Sequence, residues 1–89
     1  KNSGMLFIFP EASIHSMWMV NTYIPLSVAF LDKNGMILNI IDMSPHTRTR
    51  NSATSKAKYA LEMNLGWFSS RSIKAGEKIT GLEKAPNAE

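Results

Sequence analysis

The chain has 89 residues, no cysteine, a formal net charge of +3 and charged residues at 19%. That length holds one domain, 1–89, and so short a chain buries only about 60 to 65% of the surface its unfolded form exposes, which leaves a small margin of stability. The composition excludes a disordered polyelectrolyte, and the absence of thiols excludes a disulfide framework and a thiolate metal centre.

No uninterrupted apolar run reaches the roughly 18 residues of a membrane-spanning helix, and nothing at the start reads as an export signal. The chain begins Lys1-Asn2-Ser3-Gly4 rather than with methionine, so its cellular address stays open. The charge excess sits in one segment: Arg48, Arg50, Lys56 and Lys58 fall between Asp42 and Glu62 with no acid among them. No aromatic occurs between Phe30 and Tyr59. Single-strand binders interleave stacking rings with their cations, so this run reads as a solvated basic loop and not as a nucleic-acid interface.

In chain order, Met5 to Phe9 is a short apolar burst that predicts a strand opened by Gly4 and closed by Pro10. Ile14 to Val20 alternates weakly, with Ile14, Ser16, Trp18 and Val20 on one side and His15, Met17 and Met19 on the other. Asn21-Thr22 then interrupts the most apolar stretch of the chain, and Asn with Pro25 nearby predicts a corner. Leu26 to Leu31, the turn Asp32-Lys33-Asn34-Gly35 and Met36 to Met43 predict a hairpin, with glycine where a positive φ is wanted.

Ser44 to Lys56 is polar throughout and predicts a long loop. Ala57, Tyr59, Leu61 and Met63 alternate with Lys58, Ala60 and Glu62, the pattern of a half-buried strand. Asn64 predicts the cap of a helix through about Ile73 that sends Leu65, Phe68 and Trp67 toward the core. Lys74 to Ile79 reads as a turn into a last strand, Lys78 to Leu82, and the tail 83–89 as frayed. Six strands and one late helix predict a mainly β domain, a small antiparallel sandwich or partly open barrel.

Gly4 to Phe9 ("GMLFIF"), Trp18 to Leu31 ("WMVNTYIPLSVAFL"), Tyr59 to Gly66 ("YALEMNLG") and the turn at Gly76 resemble the bacterial and archaeal domain of unknown function family 192. The resemblance implies a compact, jelly-roll-like β domain, frequently exported to the periplasm or beyond, with no established activity. It also implies a lysine at position 20 and an aspartate at position 27, where this chain has Val20 and Ser27. The family pattern begins upstream of Gly4 with a further strand and helix, so an unpaired sheet edge covered by a second copy, a homodimer, is the expectation here.

The chemistry-bearing residues are few. A cluster of Trp18, Asn21, Thr22 and Glu62 predicts a ligand site: Trp18 supplies contact area, Asn21 and Thr22 hydrogen bonds, and Glu62 an acceptor for hydroxyls. The competing reading is that Asn21 and Thr22 only satisfy a corner. His15, Met17 and Met19 are the residue types that hold cuprous copper, but core packing explains them more simply and no metal or other cofactor is expected. The motifs of serine hydrolases, phosphate loops and zinc peptidases are absent. Trp18 and Trp67 are the residues that would stack on a sugar ring.

The sequence therefore reads as a non-enzymatic binding or assembly module for a small polar ligand, a carbohydrate among the possibilities. The alternatives are a hydrolase using Glu62, paired with Asp42 or Asp32, or His46, and a purely structural domain.

Overall fold

The computed structural model describes residues 4–17, 24–45 and 51–81. Among them six strands, β1 (Gly4–Ser13), β2 (Ser16–Met17), β3 (Leu26–Leu31), β4 (Ile37–Met43), β5 (Asn51–Ser52) and β6 (Ala57–Asn64), precede one helix, α1 (Trp67–Ser70). An antiparallel four-stranded sheet in the order β1-β6-β3-β4 carries the architecture, and β2 and β5 form a second sheet of two strands. The fold is mainly β and open, a small sandwich with its short helix near the C-terminal end.

The predicted hairpin is present, and its turn chemistry explains it. Asp32 Oδ1 accepts the amides of Asn34 at 2.8 Å and Met36 at 3.0 Å, while Gly35 takes φ 86°. This aspartate-capped turn sets the two strands antiparallel, with Leu26 opposite Met43 and Val28 opposite Ile41.

Successive strand residues face opposite sides, so the register separates two cores. Val28, Phe30, Met43 and Ala60 pack on one side with Ala53 and Ala57, and Phe7, Phe9 and Met17 close around them. Ala29, Leu31, Ile37, Tyr59 and Met63 pack on the other with Phe68 of α1. β6 is thus covered on both faces, where its alternation predicts only one, because Ala60 on the second face is fully buried against Phe30.

Four local expectations are corrected. β1 does not stop at Pro10 but runs on to Ser13, with a register shift between Ile8 and Ser13. Among the described strands β6 is its only neighbour, so a missing donor in β1 breaks no ladder on the outer side, and the Pro10 carbonyl accepts Lys58 Nζ at 3.0 Å. The supposed loop 44–56 contains β5, which polar groups hold in place. The hydroxyls of Ser16 and Ser52 meet at 2.8 Å, and Asn39 donates to the Ser52 carbonyl and accepts from the Thr54 amide.

The helix is one turn long and begins after Gly66 in a left-handed conformation, not at Asn64, because Asn64 still pairs with Leu26 in the sheet. Leu65 points outward, 51% exposed, and Phe68 alone of α1 is fully buried. The last strand shrinks to a bridge between Met36 and Lys78, supported by Ile37 N–H to Glu77 O and Ile79 N–H to Gly35 O, both 2.8 Å.

Candidate functional site

Glu62 is the member of the predicted cluster that the structure describes; Trp18, Asn21 and Thr22, like Met19 and His46, lie outside the described residues. It stands on β6 between Met5 of β1 and Val28 of β3, directly across from both. A strand alternation that puts Ala60 and Val28 in the core necessarily points Glu62 to the same face. Its carboxyl group is half-buried, and burial alone pushes its proton affinity above the ordinary value.

Beside it lies a pocket of about 260 Å³ lined by Gly4, Met5, Ile24, Leu26, Met63 and Asn64 together with Glu62. Met5 is 50% and Ile24 55% exposed, so the walls are apolar and open to water. Glycine at position 4 belongs to this geometry: a Cβ there would collide with Met63 Sδ and stand 2.7 Å from the Glu62 carbonyl oxygen. No hydrogen bond to the Glu62 carboxylate is found among the described residues. The arrangement offers one proton-binding acceptor on an apolar floor.

The sign of the pH effect follows. The folded carboxyl binds its proton more tightly than the unfolded one, so its contribution to stability is fully present below the ordinary value of 4.5 and is lost as pH rises through the raised folded value. Glu62→Gln, which cannot titrate, is therefore expected to gain melting temperature relative to the parent at pH 7.5 when compared with pH 4. Thermal melts of both proteins at the two pH values measure this, and an identical difference at both would contradict the burial argument.

Other predicted combinations are separated in space. Ser27 faces Asp42 across β3 and β4, whereas its neighbour Val28 faces Glu62, so Asp42 and Glu62 stand on opposite faces of the sheet. Asp32 is engaged in the hairpin turn. The pairing of Glu62 with Asp42 or Asp32 as two glycosidase carboxyls is thereby corrected, since one substrate bond cannot meet both.

His15 falls in the break between β1 and β2, stacks on Phe9 at 3.7 Å between ring centroids, and donates from Nε2 to the Glu11 carbonyl at 2.9 Å. Met17 packs against the same core as Phe9. Trp67 is half-buried against the second core and carries the Arg71 guanidinium 4.2 Å over its ring, which occupies the face a sugar would need.

Position 27, where the family resemblance implies a carboxylate, holds a serine that borrows one. The Ser27 hydroxyl donates to Asp42 Oδ1 at 2.7 Å and accepts the Gly66 amide at 3.0 Å, which ties the entry of α1 to the sheet. Sequence reasoning missed this pair, although its signal is visible afterwards: a small polar residue inside an otherwise apolar strand.

The sequence pattern of the family described as an uncharacterized ACR, DUF192, matches residues 1–81. The chain belongs to this family. A DUF192 domain is accordingly what the three quoted blocks announced. No curated protein matches the chain. Among solved structures, a protein of unknown function from Novosphingobium aromaticivorans DSM 12444 superposes with a TM-score of 0.82 at 31% identity, over 85% of this chain and 55% of its own. A protein from Sinorhizobium meliloti 1021, provisionally named a transcription regulator, superposes with a TM-score of 0.81 at 34% identity, over 84% of this chain and 59% of its own. The chain thus spans little more than half the length of these two relatives.

Proposed function

We propose that this DUF192 domain is a non-enzymatic binding module that seats a small, hydroxyl-bearing molecule such as a sugar over Glu62. The supporting observation is the half-buried carboxyl on an apolar, open floor with no hydrogen-bond partner among the described residues. Sugar rings present a C–H face that suits Met5, Ile24 and Leu26 and hydroxyls that donate to a carboxylate. The volume lies below the roughly 300–1,000 Å³ of pockets for drug-sized ligands, which matches a single ring. Trp18, Asn21 and Thr22 complete the site in this reading, and export to the periplasm accords with it.

Titration calorimetry against a panel of monosaccharides and polyols tests the proposal. At least one is expected to bind, and Glu62→Gln to weaken it by roughly 10-fold or more, as loss of a hydrogen bond to a charged group does. Binding of none defeats the reading. Turnover of nitrophenyl glycosides abolished by Glu62→Gln would make the protein a hydrolase instead. Tight, salt-dependent binding to duplex DNA would favour the role that the Sinorhizobium protein's name suggests.

The assembly side of the proposal rests on β1, which has one described neighbour, β6, and therefore presents its outer edge for pairing with a second copy. Light scattering across a dilution series should give the mass of a dimer. A monomer at every concentration removes this half of the proposal and leaves the ligand half standing.

A further inference from the structure

The face of the sheet away from Glu62 carries a second and larger cavity, of about 380 Å³. It lies between the β3–β4 hairpin and the segment after α1. Ile40, Phe68 and Ile73 give it apolar walls, the buried Ser27 a polar floor, and the exposed Asp42 and Lys74 a charged mouth. The floor is built, not incidental. Ser27 is 1% exposed, and its hydroxyl is committed at both ends, to Asp42 Oδ1 at 2.7 Å and to the Gly66 amide at 3.0 Å.

One oxygen of the exposed Asp42 carboxylate is held by a buried donor, which favours one orientation of the group. The second makes no hydrogen bond among the described residues. A carboxylate held this way pays little ordering entropy when it meets a cation, the preorganisation that turns a surface charge into a recognition group. The Lys74 backbone closes the turn with Glu77, its amide accepted by Glu77 Oε2 at 3.3 Å and its carbonyl accepting the Glu77 amide at 3.2 Å, while its ammonium makes no hydrogen bond among the described residues.

We propose that this cleft binds a free amino acid with an aliphatic side chain. Asp42 takes the ammonium, Lys74 the carboxylate, and Ile40, Phe68 and Ile73 the side chain. Opposite charges on the two sides of an apolar slot match a zwitterion, and they penalise a ligand carrying either charge alone. The site is independent of the Glu62 pocket, because the sheet lies between them.

The probes are L-leucine, its decarboxylated counterpart isoamylamine and its deaminated counterpart 4-methylpentanoate, titrated into the full chain by calorimetry and followed by amide NMR. Leucine is expected to bind most tightly, isoamylamine more weakly and 4-methylpentanoate not detectably, with shifts at Ser27, Asp42, Ser69 and Lys74. Asp42→Asn keeps an acceptor for the Ser27 hydroxyl and so keeps the fold, and it is expected to weaken leucine at least 10-fold. Lys74→Met should erase the preference for leucine over isoamylamine, and Glu62→Gln should leave leucine binding at the parental level. Leucine binding that survives Asp42→Asn, 4-methylpentanoate binding as well as leucine, or no response to leucine in large excess would each overturn the assignment.

Discussion

Phe30→Ala is expected to cost about 3–5 kcal/mol and to leave the domain largely unfolded at room temperature. Phe30 is fully buried on β3, a central strand, where it meets Ala60 across the ladder and packs with Val28 and the aromatic residues of β1. Its neighbours on β6 are small: Ala60 and Ala57 have no side chain with which to refill the space. The ring must therefore leave a cavity, the situation in which large-to-small substitutions are most costly. A typical domain holds together by roughly 5–15 kcal/mol, and short chains sit toward the low end. Urea unfolding followed by circular dichroism measures the loss, and a midpoint close to that of the parent would show that the two-sided core does not depend on this ring.

Ser27→Asp is the second large effect, and it runs against the family resemblance. The position is sealed, 1% exposed, and the Asp42 carboxylate already lies within hydrogen-bond distance. A second carboxylate there loses solvation and faces a like charge, so one of the two must hold a proton or the fold must open. The expected result is a marked loss of stability at pH 7.5 that shrinks at pH 4, because protonation removes the repulsion. Adding Asp42→Asn should restore most of the loss, since an amide donates where the carboxylate repelled. Equal destabilisation at both pH values, or no recovery in the double variant, would show that crowding rather than charge decides this position.

Glu62 and Asp42 show how far a sequence pattern reaches. Alternation along Ala57 to Met63 marks Glu62 as facing away from Tyr59 and Met63, which the register bears out. It does not say that this second face is also a core, because that depends on Phe30 and Val28 arriving from β3. Likewise nothing local to Asp42 announces that Ser27 lies opposite it. The glycosidase pairing of Glu62 with Asp42 was legible as composition and impossible as geometry.

Turn chemistry and apolar alternation act over a few residues, so the sequence by itself determined the Asp32–Gly35 hairpin, the strands β3, β4 and β6, the burial of Phe68 and the three blocks that mark the family. Tertiary structure alone decided the features that need a partner from far along the chain. Pro10 stays inside β1 because β1 is an edge among the described strands; Asn51 and Ser52 become a strand because β2 and Asn39 offer them hydrogen bonds; Asn64 remains in the sheet because Leu26 pairs with it. The physical reason is common to all three. A backbone polar group accepts whichever partner folding brings to it, and that choice is made by the packing of distant apolar residues rather than by the neighbours in sequence.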